Sequence, residues 1–171
     1  SLAVYWTAWE FRHDRDRVER QAQGAAVRVA AQVADIVGDV QGMLAVLARV
    51  PAVRAGDRAE AERLFREVLA TSPYLENFAA FARDGTLFAT TTPIASRVRI
   101  LVQDRAWFQA VVHTGRPVAG GFLVSRISGK PVAVLGQPIL DELGRVQGVV
   151  GAGLHLAAFS QEVAPIQIGA S

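Results

Sequence analysis

Residues 131–156 read PVAVLGQPILDELGRVQGVVGAGLHL, and their pattern decides the architecture. Two largely apolar runs, Pro131 to Leu140 and Arg145 to Leu156, flank the tight connection Asp141-Glu142-Leu143-Gly144. That grammar predicts two antiparallel strands. Successive strand residues point to opposite faces, so Val146, Gly148, Val150, Ala152, Leu154 and Leu156 share one side of the second run. Gln147, Val149, Gly151, Gly153 and His155 share the other. The first row reads as core. The second is small and partly polar, which leaves room for a ligand or for a closely packed helix.

Working outward, Pro117 to Arg126 reads as a further strand joined through Ser128-Gly129-Lys130. Before it, Asp104 is placed to cap a short helix, Arg105 to His113, ended by Gly115. Thr92 to Val102 reads as an irregular connector. Tyr74 to Ala82 and Thr86 to Thr91 form a hairpin about Arg83-Asp84-Gly85. Asp57 with Glu60 resembles a capping box that opens a helix carrying Leu64, Phe65, Val68 and Leu69 on one face, and Ser72-Pro73 stops it.

Residues 3–49 contain no proline and no turn cluster. Ala22, Ala26, Val29, Val33, Ile36, Val40, Met43, Leu47 and Val50 follow alternating steps of four and three, a heptad seam. A second stripe, Ala30, Ala34, Val37, Leu44 and Ala48, widens the apolar surface, so this helix has two flanks to bury. At about 1.5 Å per residue it is ~70 Å long, longer than a small domain is wide. Arg49 to Gly56, with Pro51, ends it. The order of elements predicts an α+β fold: a long N-terminal helix on a five-stranded antiparallel sheet, with a short helix on the opposite side.

The 171 residues hold 18 basic and 16 acidic side chains, no cysteine and 51% hydrophobic residues, with mean hydropathy +0.24. The sequence pI of 9.7 reflects arginine, since Lys130 is the single lysine. Arg12, Arg15, Arg17 and Arg20 alternate with Asp14, Asp16 and Glu19, a mixed-charge helix face and not the basic stripe of a nucleic-acid binder. Without cysteine there is no disulfide scaffold, zinc ribbon or thiol catalysis. No uninterrupted apolar run reaches the ~18 residues of a spanning helix. The start, Leu2 to Trp9, is apolar and aromatic, which fits either the trimmed end of a membrane helix or a helix start packed on the protein.

No nucleophile elbow, Walker A loop or HExxH occurs. Gly151-Ala152-Gly153 begins like a dinucleotide fingerprint, but Leu156 replaces the third glycine and the segment ends a strand. His13, His113 and His155 are isolated, not spaced as metal ligands. No enzyme, metal or cofactor is therefore expected. The segment Asp104-Arg105-Ala106-Trp107-Phe108 is the informative one: an arginine at a helix start beside two aromatics suits a carboxylate, with Trp107 as wall and N–H donor. The alternative reading makes Trp107 and Phe108 core anchors and Arg105 an ion-pair partner of Asp104.

The chain resembles the Cache family of PAS-like extracytoplasmic sensor domains, which are carried by bacterial histidine kinases, diguanylate cyclases and chemoreceptors. The matching pieces, in order, are the Tyr74 strand leading to Asp84-Gly85, Thr92-Pro93, Asp104-Arg105-Ala106-Trp107-Phe108, Gly120-Gly121, and Ser128-Gly129-Lys130-Pro131-Val132. Gln137-Pro138-Ile139 with Asp141 and Gly144, and Gly148-Val149-Val150, complete the set. The resemblance implies a non-catalytic module whose ligand pocket lies between the sheet and the connector plus short helix. The amino-acid-binding branch has an upstream Tyr, an Arg-x-Trp-Tyr motif, and an Asp just before the later Ser/Thr-Gly turn. Arg105 and Trp107 match it, Phe108 stands in place of the Tyr, and Ser125 falls near the position of the Asp, with Arg126 beside it.

These departures point away from α-amino acids and toward a small organic carboxylate. Arg105 and Trp107 would hold it, with Tyr74, Phe108, Ser125 and Arg126 as further candidates. The resemblance also implies a periplasmic location in an inner-membrane receptor, most simply a sensor histidine kinase, dimerising through the long helix and making no use of nucleic acid. The alternative is a ligand-free PAS-like dimerisation or protein-interaction domain of such a receptor. Residues 1–50 are expected to be the signalling helix, 51–160 the ligand-binding module and 161–171 a connector to the membrane or to a second module.

Overall fold

The structure, a computed structural model, describes the backbone of residues 2–156 and the side chains of residues 15–156. The connector expected over 161–171, and the side chains of the aromatic start, lie outside the described residues. The elements in order are α1 (Leu2–Leu47), α2 (Pro51–Arg54), α3 (Arg58–Leu69), β1 (Leu75–Ala82), β2 (Leu87–Thr90), α4 (Ala106–Thr114), β3 (Val118–Val124), β4 (Pro131–Leu140) and β5 (Val146–His155). The chain falls into two compact units: the helical stretch up to Asp35, and a body that begins at Ile36. The last quarter of α1 is thus part of the folded body.

The strands form one antiparallel sheet in the order β2-β1-β5-β4-β3. The pairing of β4 with β5 is the longest register, from Val132 opposite His155 to Leu140 opposite Val146. The alternation predicted for 146–156 holds from Gly148 to His155. The register shift between Ile139 and Leu140 reverses Val146 and Gln147, so that Val146 lies beside Gly115 and Gln147 donates to the Arg54 carbonyl at 3.2 Å. Val150, Ala152 and Leu154 face one side with Phe78, Ala80, Leu135 and Ile139, and they are covered by Ile36, Val40, Leu44, Leu47, Val53 and Phe65. Both stripes of the helix enter this layer, Ile36, Val40 and Leu47 from the seam and Leu44 and Ala48 from its neighbour. The opposite face carries Ala79, Phe81, Val132, Val134 and Val149 under Val102, Trp107, Phe108 and Val111.

Local chemistry explains the boundaries. Pro51 opens the one-turn helix α2 after the end of α1, where its missing N–H costs nothing, so the segment whose sequence predicts only a helix stop also starts a new turn. Asp57 caps α3 by accepting from the Glu60 N–H at 3.2 Å. Glu60 does not complete the box, because its carboxylate is turned to Arg63. Gly85 closes the first hairpin at φ +88°, and a Cβ there would lie 2.6 Å from the Gln103 nitrogen. Only glycine allows the connector to lie so close.

Residues Arg15–Leu47 are long and apolar enough, with hydropathy 1.3, to cross a membrane by length and composition alone. Their C-terminal end instead buries Ile36, Val40, Leu44 and Leu47 against the sheet, so that part of the apolar stretch is a core face. In the first unit Val18 and Val27 are exposed, as are Ala22 and Ala26 of the seam.

Phe65 and Phe78 are fully buried, with ring centroids 5.8 Å apart where α3 meets β1. Phe78→Ala is expected to cost ~3–5 kcal/mol in denaturant unfolding, the range for emptying a buried aromatic site. A loss below ~1 kcal/mol would show that the site collapses or is not core.

Candidate ligand-binding site

The short helix α4 is seated by glycine. Gly120, Gly136 and Gly151 come from the adjacent strands β3, β4 and β5, and each leaves space that Trp107 occupies. A Cβ on Gly120 would lie 2.4 Å from Trp107 Cβ, and one on Gly136 would lie 2.9 Å from Val111 and 3.1 Å from the indole. The Gly151 position is 3.5 Å from the far edge of the ring. The small row foreseen on β5 therefore receives a helix, and the hollow opens beside that helix.

This hollow, of about 40 Å³, lies between the sheet, the end of the connector and the turn after β3. Its apolar wall includes Phe81, Val102, Leu123, Ile127, Val132 and Trp107, and its polar groups are Asn77, Arg105, Ser125 and Arg126. No carboxylate among the described residues lines it, and with Arg126 paired to Asp104 the charge of Arg105 leaves the lining net positive. Arg105 donates through Nη2 to the Val124 carbonyl at 3.1 Å, and the rest of its fork has no partner among the described residues. The Trp107 indole N–H likewise donates to no described group. Asn77 is 4% exposed; its Nδ2 reaches Thr92 Oγ1 at 3.4 Å, and no described donor meets its Oδ1.

Four of the six sequence candidates, Arg105, Trp107, Ser125 and Arg126, meet at this hollow; two do not. Phe108 is 3% exposed and packs edge-on against Phe81 and Trp107. Neighbours on a helix diverge by about 100°, so Phe108 serves the core while Trp107 faces the hollow. Tyr74 packs with the α1-side cluster and accepts the His155 N–H through its carbonyl. Tyr74 shares its even spacing with Phe78 and Ala80, which face α1, so strand alternation itself puts it on the side away from the hollow. Ser125 Oγ accepts from the Ile127 and Ser128 N–H groups at 3.1 and 3.3 Å, so it shapes the turn as well as the wall.

Asp104 neither caps α4, where Arg105 holds the N-cap position without a side-chain bond, nor pairs with Arg105. Its two oxygens accept from both terminal nitrogens of Arg126, one of which also donates to the Leu101 carbonyl at 2.9 Å. This pair ties the turn after β3 to the connector across the rim. Sequence reasoning missed Asn77, for which no signal existed. It also missed the cluster in which Glu76 binds His155 Nδ1 at 2.6 Å and Lys130 at 3.3 Å, three residues far apart in the chain.

The bonds from Arg126 hold the Asp104 carboxyl at about 2. A folded-state value below the unfolded one means that the contribution is complete above pH ~4 and is lost as pH falls toward 2. Asp104→Asn is expected to lower the melting temperature slightly at neutral pH, the two proteins converging near pH 2. Identical melting curves at pH 7 would show that the pair is not formed.

A Cache domain model matches residues 14–171. Solved structures with this fold include the sensor domain of the Vibrio cholerae histidine kinase DctB, at 14% identity and TM-score 0.69, over 83% of this chain and 57% of that one. The ligand-binding domain of the Campylobacter jejuni chemoreceptor Tlp3, solved with L-valine, matches at 15% and 0.65, over 88% and 64%. That of the Pseudomonas aeruginosa amino acid chemoreceptor PctC, solved with GABA, matches at 16% and 0.63, over 81% and 62%. The chain thus spans less than two thirds of each of these structures. No curated protein is significantly similar in sequence. The match over nearly the whole chain, on the fold described above, places the protein in the Cache family of sensor domains, which are sensory and not catalytic modules.

Proposed function

We propose that this chain is the extracytoplasmic ligand-sensing module of a bacterial transmembrane receptor and that it binds a small organic carboxylate in the hollow beside α4. The observation that carries this reading is the half-unpaired guanidinium of Arg105 in an apolar, aromatic-walled hollow whose lining holds two cations and no anion. A carboxylate accepts such a fork bidentately, and the Trp107 indole N–H and Asn77 amide supply directional partners for the rest of a small molecule. The Tlp3 and PctC structures hold L-valine and GABA, both carboxylates. Absence of a carboxylate from the lining favours an acid that needs no ammonium partner.

At about 40 Å³ the hollow is far below the ~300–1,000 Å³ usual for ligand pockets. Binding therefore requires the connector and the turn after β3 to part, with the Asp104–Arg126 pair as the rim contact that must yield. The output we propose is a histidine kinase, the class to which DctB belongs. The signal leaves through α1, whose seam residues before Asp35 pair with those of a second copy. Ligand shifts the receptor only by its differential affinity for two states, typically ~1–3 kcal/mol of coupling.

The small hollow also supports a second reading, a ligand-free module that works by dimerisation alone. Thermal-shift screening against organic acids separates the two, since a ligand of the folded state raises the melting temperature by mass action. Hits are expected among carboxylates, and Arg105→Ala is expected to weaken them at least tenfold; unchanged affinity for every hit would remove Arg105 from the site. Val29→Lys with Val33→Lys is expected to abolish weak self-association in analytical ultracentrifugation. A chain that stays strictly monomeric at high concentration would refute pairing through the seam.

A further inference from the structure

A second cavity, of about 290 Å³, shares no lining residue with the first. It forms at the free edge of the sheet, where the connector bows away from β2 and α3. The connector is anchored at both ends. Thr91 N–H bonds the Phe78 carbonyl at 3.1 Å, Leu87 N–H the Ile100 carbonyl at 3.0 Å, and Val102 N–H the Gly85 carbonyl at 3.0 Å. Between those anchors the one described backbone bond is the turn from Val98 N–H to the Ala95 carbonyl. The fold thus holds the cavity open from its two ends.

Its charge is one-sided. Arg58, Arg97 and Arg99 line it against a single carboxylate, that of Glu62. Glu62 is committed twice, to Arg58 at 3.2 Å and to the Thr90 N–H at 3.3 Å, and its side chain is 18% exposed. Arg97 makes no hydrogen bond or ion pair among the described residues. Arg99 makes one long hydrogen bond, 3.4 Å to Thr86 Oγ1, and its charge also acts on the Asp84 carboxyl outside the cavity lining. The floor is apolar, with Phe88, Ala89, Ile94 and Ile100. Like charges gathered around one cavity repel, and an anion between them relieves that cost.

We propose that this cavity is a second ligand site, taking an organic anion whose acid group lies between Arg97 and Arg99 and whose apolar body rests on the floor. The apolar floor separates this class from a free inorganic ion, and three arginines against one carboxylate among the lining residues disfavour a cationic ligand. Because the two cavities share no residue, occupancy of this one does not depend on Arg105.

The test is an amide NMR titration of the 171-residue chain with phenylphosphate and, separately, inorganic phosphate. Saturable shifts are expected over residues 86–90 and 94–100, with phenylphosphate binding several-fold tighter. The Arg97→Ala/Arg99→Ala variant is expected to weaken it at least tenfold and Arg105→Ala to leave it unchanged. Glu62→Gln, which releases Arg58, is expected to tighten it. No saturable shift over those residues, or equal binding by the double variant, would overturn the proposal. Loss of binding in Arg105→Ala alone would also overturn it, by assigning the anion to the first hollow.

Discussion

The indole of Trp107 lies where three adjacent strands withhold their side chains, and the arrangement of the face beside α4 follows from that contact. Gly120, Gly136 and Gly151 form a shallow bed across β3, β4 and β5, and any Cβ at the first two would collide with α4. Because the ring is sunk into the sheet, the start of α4 is held close to Val124 and Ser125. Arg105, two residues ahead of Trp107, is thereby delivered to the rim of the hollow. Packing of a large apolar ring, with no polar chemistry, sets the position of the cation.

Electrostatics then divides the two arginines at the rim into different roles. Arg126 is occupied by Asp104 and by the Leu101 carbonyl, so it works as a tie between the turn and the connector. Arg105 keeps most of its donors free among the described residues. The pair that closes the rim is exposed, and solvent screening leaves such pairs contributing little to stability. A rim held by so weak a contact opens at low cost, which suits a module whose resting hollow is far smaller than a ligand.

The architecture was legible in the sequence because its signals were periodic. The alternation in 146–156 placed every core residue of β5 on its correct side, and the stripes of α1 identified Ile36, Val40, Leu44 and Leu47 as buried. The hollow was legible in part. Arg105 and Trp107 stood out as a cation and an aromatic at a helix start, and Ser125 and Arg126 came from spacing in the family resemblance. Tyr74 was misassigned although its spacing from Phe78 and Ala80 already puts it on the α1 side. What local pattern could not carry was the seating of Phe108 in the core and the choice by Asp104 of a partner 22 residues distant. Asn77 and the Glu76–His155–Lys130 cluster are products of strand register. Nothing in the residues around them announces it.

The most direct measurement is a crystal structure of the chain with a carboxylate identified by screening. The carboxylate group should lie on Arg105 beside Trp107, in a hollow enlarged by separation of Asp104 from Arg126. Ligand bound at a different place, with Arg105 still on the Val124 carbonyl and the hollow unchanged, would contradict the sensing site derived from this fold.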